Sequence, residues 1–390
     1  MEFRQTIFWR RPVLLLLITT ALYAIFYQFH VPLNYESCEL CDRHQYKKIY
    51  DYFDAGFISQ IKFPFYTRPL IPLLASWVPA LDIVYSFHLL NFLFTLFGAA
   101  MLLHLWNELK IPRTIIGIGF FWLFFHWTGI IRYNLMDYVT VDVALYLIHA
   151  LALFLFIKKK YGLFYFLTPL AILVKDSFIP VMILFIVVNI YHNRINWFKE
   201  SKHLIFPLIL GIVFQKLILW LMPEQMDQKS SLMALLYHIK LALDNPFRFV
   251  RWFAAIGSAF GVFPALIVYR FRWKNYLNLL PMTLGITSLM FIVFGLTAGE
   301  DMTRIIFLGF PFIMTLVLLI LKNERLPIII GALLLSIPFM HLYPLHVDVK
   351  WAVDYASQNF VFKWAGIYII TLILFFIIVA FSDKKAKSDI

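Results

Sequence analysis

Four basic residues lie at the ends of apolar segments, where an ionisable side chain is costly unless it is paired or solvated. They are Arg68, Arg132, Lys175 and Arg304. Guanidinium and ammonium groups supply positive charge and N–H donors, which is the chemistry that holds a phosphate or a developing oxyanion. The pattern therefore makes all four residues candidates for a functional site.

Two of these residues have an acidic neighbour that offers a purely structural alternative. Arg132 precedes Asp137 by five residues, and the two can pair in a turn. Arg304 closes the run Glu300-Asp301-Met-Thr-Arg304, where Asp301 and Arg304 have the i, i+3 spacing of a helical ion pair. We keep both interpretations for each arginine.

The other two cations have different alternatives. Lys175-Asp176 separates two short apolar segments, and the pair can neutralise itself at a helix break. Arg68 precedes Pro69, where the chain re-enters an apolar segment, and its side chain can reach lipid phosphates instead of a substrate. For Lys175 we favour the functional interpretation.

A short helix is predicted to begin at Asp42. Tyr46, Ile49 and Phe53 follow it at helical spacing, and Gly56 ends the segment. Asp at a helix start often serves only as an N-cap, so capping is the structural alternative to a chemical role for Asp42.

Two cysteines precede this helix. Cys38 and Cys41 form Cys-x2-Cys-x2-His with His44, but no fourth zinc ligand is evident. We expect a local disulfide instead, because the compartment outside a cell membrane is oxidising. No metal ligand is assigned, and no motif requires a cofactor, although a divalent metal ion stays an open alternative.

The composition is that of a membrane protein. Hydrophobic residues make up 62% of the 390 residues and charged residues 14%, against roughly 25% charged in soluble domains. The net charge of +12 comes from scattered residues, so a nucleic-acid partner is not expected. We predict an all-α fold, a polytopic bundle of about twelve transmembrane helices forming a single domain over residues 1–390.

Hydropathy gives twelve candidate crossings. They are 13–29, 83–105, 114–131, 143–157, 161–174, 177–191, 203–221, 252–269, 276–298, 305–321, 326–341 and 361–381. With a cytoplasmic N-terminus, 19 of the 34 Lys and Arg residues fall on the cytoplasmic side with only six acids. This positive-inside bias predicts that both termini are cytoplasmic, in the cell (inner or cytoplasmic) membrane.

The same topology leaves three long segments outside, 30–82, 222–251 and 342–360. Within the second, apolar residues from Ser230 to Leu243 recur at helical spacing, which predicts a helix in the membrane interface. Function is therefore expected on the extracytoplasmic face, and the long first loop should carry short helices.

The first outer loop resembles that of membrane glycosyltransferases with the GT-C architecture, in particular mannosyltransferase-like members that use polyprenyl-phosphate sugars. The resemblance rests on Asp42 at a helix start with Tyr46 and Ile49 after it, then Phe63-Pro-Phe and Arg68-Pro leading into the membrane. It covers about forty residues loosely, because no Asp-x-Asp pair is present and Cys38-x-x-Cys41 is not part of the pattern.

The resemblance implies that Asp42 is the general base in sugar transfer. It implies a polyprenyl-phosphate-linked donor, held by Arg68, Arg132, Lys175 and Arg304, and a lipid or glycan acceptor in contact with membrane lipids. Supporting roles would fall to Tyr46, Asp137, Asp176, Glu300 and Asp301.

The resulting prediction is an inverting glycosyltransferase acting on the extracytoplasmic face. A lipid-linked glycan polymerase or ligase is one rival, but it would place its large loop later in the chain. A secondary transporter is the other, but the halves show no repeat and the charges lie at outer helix ends instead of the bilayer midplane.

Overall fold

The computed structural model describes residues 2–33, 42–79, 81–222, 231–270, 278–343, 345–348, 353 and 356–388, with side chains between residues 12 and 384. This part of the chain is all-helical and contains no strand. The predicted all-α class is therefore confirmed.

Eighteen α-helices are present in the described residues. They are α1 Glu2–Phe29, α2 Asp42–Ala55, α3 Leu70–Ser76, α4 Ile83–Glu108, α5 Arg113–Phe125, α6 Arg132–Met136, α7 Asp142–Ile157, α8 Phe164–Val174, α9 Phe178–His192, α10 Trp197–Leu221, α11 Ser231–Asp244, α12 Phe247–Phe260, α13 Phe263–Arg270, α14 Leu279–Thr297, α15 Met302–Phe307, α16 Phe310–Leu321, α17 Leu326–Ser336 and α18 Gln358–Ser388.

Among the described residues, five helices are long and apolar enough to cross a membrane. These spans are Pro12–Phe29, Ile83–Glu108, Arg194–Leu221, Leu279–Thr297 and Gln358–Lys384. Long helices of this composition are typical of a membrane-spanning protein, because a span needs about 20 predominantly apolar residues.

The predicted crossing at 252–269 is not a straight helix. α12 and α13 meet at an angle of 96°. Gly261 lies between them with φ of +53°, and a Cβ there would lie 2.4 Å from Ser336 side-chain atoms. The positive φ and this close approach mean that the bend requires a glycine. The Ser336 hydroxyl also accepts a hydrogen bond from the Val262 amide at 3.0 Å, which stabilises the bend.

The other predicted crossings coincide with shorter apolar helices. These are Arg113–Phe125, Asp142–Ile157, Tyr161–Val174, Phe178–His192, Phe310–Leu321 and Leu326–Met340. At 1.5 Å per residue such helices are shorter than the roughly 30 Å hydrocarbon core. Within the described part of the chain, helix length therefore supports five spans, or six with the bent pair, and the bundle of twelve stays a prediction.

The chain divides into two compact units that alternate along the sequence. Unit 1 comprises Met1–Leu105 and Tyr133–Met233, and unit 2 comprises Trp106–Arg132 and Ala234–Ile390. In unit 1, α10 packs on α8 and α9, and α2 packs on α3. In unit 2, α12 packs on α18 and α15, and α14 packs on α16. The prediction of a single domain stays a prediction.

Two further predicted helices are present. α2 buries Tyr46, Ile49 and Tyr50, the apolar face expected from their spacing. α11 leaves Leu232 and Leu243 exposed, as an interfacial helix would.

Candidate functional site

The break between α8 and α9 contains two charged residues, which lie inside an apolar stretch of unit 1. Lys175 ends α8 in an extended conformation, and Ser177 precedes α9. Both flanking helices are strongly apolar, so the charges of Lys175 and Asp176 need partners from elsewhere in the fold.

Lys175 pairs with Asp142, a residue that the sequence interpretation did not assign to the site. The Lys175 Nζ atom lies 2.6 Å from Asp142 Oδ1, and the side chains are only 10% and 4% exposed. Asp142 is the first residue of α7, where the backbone amides of a helix start favour a carboxylate. The pair is a short, buried, charge-assisted hydrogen bond.

Asp176 contacts a different cation. Arg68 Nη2 lies 3.4 Å from Asp176 Oδ1, longer than the roughly 2.7–2.9 Å typical of a charge-assisted hydrogen bond. Both side chains are 12% exposed, and the buried Nε of Arg68 has no acceptor among the described residues. Arg68 is thus a largely buried cation with unused hydrogen-bond donors.

The local fold fixes Arg68 from both sides. It follows a 3₁₀ turn at Phe65–Thr67, its amide donates to the Phe65 carbonyl at 2.9 Å, and Pro69 begins the turn into α3. Gln215 of α10 donates to the Thr67 carbonyl at 3.1 Å. The backbone that carries Arg68 is therefore anchored to a long apolar helix.

Tyr46 connects α2 to these charges. It is 1% exposed, and its ring packs edge-on against the ring of Phe65, with the two ring centroids 5.2 Å apart. Burial raises the pKa of the Tyr46 hydroxyl, Arg68 opposes this, and Asp42 and Asp142 add to it. The neutral hydroxyl of Tyr46 is thus the point at which the charges of Asp42, Asp142 and Arg68 all act.

The guanidinium of Arg68 keeps its charge in this setting. Burial alone lowers its pKa, but Tyr46, Asp176 and Asp142 raise it, and the net shift of the pKa is upward. A permanently charged, rigid fork of donors suits a phosphate oxygen better than a lysine would.

The cluster formed by Asp42, Arg68, Asp142, Lys175 and Asp176 contains three carboxylates and two cations. It therefore has one negative charge in excess, so the charges of both cations are fully compensated within this set. An anionic ligand would use the free donors of Arg68 and leave a carboxylate available as a base.

Arg43 supplies a third cation next to Asp42. Its Nη1 donates to the Tyr138 hydroxyl at 3.0 Å, and its guanidinium lies 5.5 Å from the centroid of that ring. With Arg43 the charges balance. Sequence reasoning missed it because it looked like one of many surface basic residues in a polar loop.

Ser231 is a third residue that the sequence did not indicate. Its hydroxyl donates to Asp176 Oδ2 at 2.6 Å, so that carboxylate accepts from Arg68 on one oxygen and from the first residue of α11 on the other. At the preceding helix end, Tyr52 of α2 donates to the Leu221 carbonyl at 2.9 Å. No local pattern could have revealed either contact.

Asp137 also lies in unit 1, whereas Arg132 lies in unit 2. The Asp137 side chain is buried, and its amide donates to the Tyr133 carbonyl at 2.9 Å. Arg132 is 2% exposed, and its Nη1 donates to the carbonyls of Phe125 at 2.6 Å and Met340 at 3.3 Å.

The remaining predicted residues of unit 2 form ion pairs with one another or with Arg248. Arg304 Nη1 lies 2.9 Å from Asp301 Oδ2, the i, i+3 pair that the sequence offered as the structural alternative. Glu300 Oε1 lies 2.9 Å from Arg248 Nη1. The phosphate-binding role of Arg304 stays a prediction.

Two further predictions concern a disulfide between Cys38 and Cys41 and the binding of a metal ion. Cys38 and Cys41 lie outside the described part of the chain. Within that part, no group of three or more His, Cys, Asp and Glu side chains is arranged to hold a metal ion.

Comparisons with known proteins give no further identification. No protein-family model, no curated protein and no solved structure matches this chain.

Proposed function

We propose that this protein is an integral membrane glycosyltransferase that moves a sugar from a polyprenyl-phosphate-linked donor to an acceptor on the extracytoplasmic face. The observation that carries the proposal is the cluster around the buried Tyr46: Asp42 lies one helical turn before it on α2, and Arg68, whose Nε has no acceptor among the described residues, hydrogen-bonds its side chain. A base and a phosphate-binding cation in one cluster are the two groups that such a transfer needs.

Asp42 is proposed as the general base. It accepts the proton of the acceptor hydroxyl as that oxygen bonds to the sugar C1, and the bond from C1 to the phosphate oxygen breaks. The polyprenyl phosphate leaves with the bonding electrons, and the configuration at C1 inverts. Asp42 is the first residue of α2, where the positive end of the helix dipole is directed toward a carboxylate.

Arg68 and Lys175 are proposed to stabilise the leaving phosphate. Arg68 offers donors directly, since its Nε is unused and its contact with Asp176 is long. Lys175 is bound closely to Asp142, so its part is to supply positive charge beside Arg68. Asp142 and Asp176 hold the two cations in place before the substrate arrives.

The test is transfer of labelled mannose, glucose or galactose from polyprenyl phosphate by the purified protein. Asp42→Asn keeps the size of the side chain and removes the base, and we expect about 10²–10⁴-fold slower transfer with donor binding retained. Asp54→Asn is the matched control, because Asp54 is an exposed carboxylate on the same helix. A folded Asp42→Asn protein with normal transfer contradicts the assignment.

We also infer the topology of twelve crossings with both termini cytoplasmic. The distribution of basic residues supports it, and the twelve predicted segments coincide with apolar helices, including the bent pair. Short or broken helices are tolerated in a membrane where protein surrounds them.

Cysteine labelling tests this topology in a background of Cys38→Ser and Cys41→Ser. A Lys159→Cys variant should resist an impermeant reagent added from outside. Ile58→Cys, at a position 76% exposed in the first outer loop, should react and serves as the control. Outside labelling at position 159 would rule out twelve crossings.

A further inference from the structure

Trp127 differs from three other tryptophans of unit 2 in the bonding of its indole N–H. It is 2% exposed, and its Nε1 is buried with no acceptor among the described residues. The others each donate to a protein oxygen: Trp106 to Thr315 Oγ1 at 2.8 Å, Trp122 to the Ala259 carbonyl at 3.0 Å, and Trp252 to the Ile292 carbonyl at 2.6 Å.

An unsatisfied indole N–H in a protein interior costs free energy, and buried tryptophans normally find a partner. The other three indoles show that this unit has carbonyl and hydroxyl groups able to meet such donors. The Trp127 indole N–H therefore lacks an acceptor among the described residues, and an oxygen atom of a bound molecule can supply one.

The residues next to Trp127 are aromatic, which indicates the kind of molecule that can bind there. The His341 ring meets it edge-on, with centroids 6.1 Å apart and planes at 85°. Trp364 lies 5.0 Å from His341, and both of these rings are partly exposed. A row of aromatic rings thus runs from the buried Trp127 to the partly exposed His341 and Trp364.

A second polar side chain reaches the same backbone. The Met340 carbonyl accepts the Trp127 amide at 3.1 Å and Arg132 Nη1 at 3.3 Å. The guanidinium of Arg132 is thereby held next to the segment that carries Trp127, and it adds positive charge that favours an oxygen-rich ligand.

We infer that Trp127, His341 and Trp364 form a binding subsite for a pyranose ring. A sugar presents hydroxyl oxygens, which accept from an indole N–H, and an apolar C–H face, which packs on aromatic rings. The identification of this sugar as part of the acceptor glycan rests on the proposed function. The carbohydrate chemistry itself follows from the aromatic cluster.

The test replaces one buried tryptophan at a time with phenylalanine, which removes the indole N–H together with the same ring volume at each of three buried sites. Trp106→Phe and Trp122→Phe lose hydrogen bonds already made in the fold, so their Tm in detergent should fall by about 2 °C or more. Trp127→Phe loses no such bond, and its Tm should fall less than either control. A decrease as large as in the controls would overturn the inference, because it would mean that the fold already satisfies the Trp127 N–H.

Binding is then measured with methyl pyranosides of mannose, glucose, galactose and N-acetylglucosamine, by quenching of tryptophan fluorescence. Sorbitol is the control ligand with hydroxyl groups and no ring. We expect at least one pyranoside to bind, and its Kd to rise about 5–10-fold in Trp127→Phe, as expected for one lost hydrogen bond. Absence of pyranoside binding, or equal affinity in the variant, would overturn the subsite.

A transfer assay with the wild-type protein separates this inference from the proposed function. Trp127-dependent sugar binding by a wild-type protein that transfers no sugar would keep the subsite and reject the glycosyltransferase. Normal transfer with Trp127-independent binding would keep the glycosyltransferase and reject the subsite.

Discussion

Arg68 in unit 1 and Arg248 in unit 2 differ in how their hydrogen-bond donors are used. In unit 1, Arg68 makes a long contact with Asp176, hydrogen-bonds the Tyr46 side chain, and has an Nε without an acceptor among the described residues. In unit 2, Arg248 is 4% exposed and bonds to Glu300 Oε1 at 2.9 Å, to the Gly299 carbonyl at 2.7 Å, to the Leu296 carbonyl at 3.2 Å and to His238 at 3.2 Å. A cation with its donors filled stabilises a fold, whereas one with donors to spare can bind a substrate.

The range of the pairing separates Arg304 from the two cations of unit 1, although not Arg248, whose partner Glu300 lies 52 residues away. Arg304 finds Asp301 within one helical turn, but Lys175 reaches a partner 33 residues away and Arg68 one 108 residues away. The use of donors therefore favours a substrate-binding role for Arg68 and structural roles for Arg248 and Arg304, and each prediction below can break this contrast.

The largest effect should come from removing one member of the buried pair in unit 1. Lys175→Met leaves the Asp142 carboxylate buried without its ammonium, and we expect the free energy of unfolding to fall by about 3–5 kcal/mol. Thermal unfolding in detergent measures this.

The double variant Lys175→Met with Asp142→Leu removes both charges and should recover much of the loss. Lys47→Met is the matched control, because its pair with Asp51 is exposed and of i, i+4 type, worth about 0.5 kcal/mol or less. A Lys175→Met protein as stable as that control would show that the pair is not buried in the way described.

The next largest effect separates Arg68 from Arg304. Arg68→Gln should lower kcat/KM for donor by about 10²–10³-fold, because donors that meet the leaving phosphate are lost. Arg304→Gln breaks a local pair and should change kcat/KM only several-fold. Equal losses in steady-state transfer assays would restore the role that the sequence predicted for Arg304 and would remove the contrast.

The smallest effect is a pH dependence in unit 2. Burial lowers the pKa of His238, and the positive charge of Arg248 lowers it further, against the opposing charge of Glu300 at 4.0 Å. The neutral ring accepts from Arg248, so its contribution to stability is complete above the ordinary pKa of about 6.5 and is lost as the pH falls below it.

Tm measured from pH 7.5 to pH 5 should accordingly decrease in the wild type. His238→Gln cannot titrate, so its Tm should decrease less over the same range. Parallel curves for the two proteins would show that His238 does not hold Arg248 through its neutral form.

Much of the helical pattern could be predicted from the sequence, because long apolar runs and helix-period spacing are local signals. Helix ends were harder. The segment 114–131 was predicted as one crossing, but α5 ends at Phe125 and the chain turns. Gly261 looked like any glycine in an apolar run, and only the approach of Ser336 shows why the helix must bend there.

The site was predictable to the extent that charges in apolar surroundings are rare. That signal predicted Arg68, Lys175 and Asp176 as candidate site residues, and the predicted start of α2 added Asp42. Asp142 was missed because its partner is fixed by packing of α7 against α8, which no local pattern encodes.

The shared carboxylate of Asp176 constrains how this protein can evolve. One oxygen accepts from Arg68 and the other from Ser231, so a substitution at either donor changes the charge and orientation seen by the other. The two positions should show epistasis: the tolerance of position 68 for lysine or glutamine depends on whether a hydroxyl is present at position 231. Lineages that exchange one of these residues are expected to adjust the other, although 163 positions separate them in the sequence.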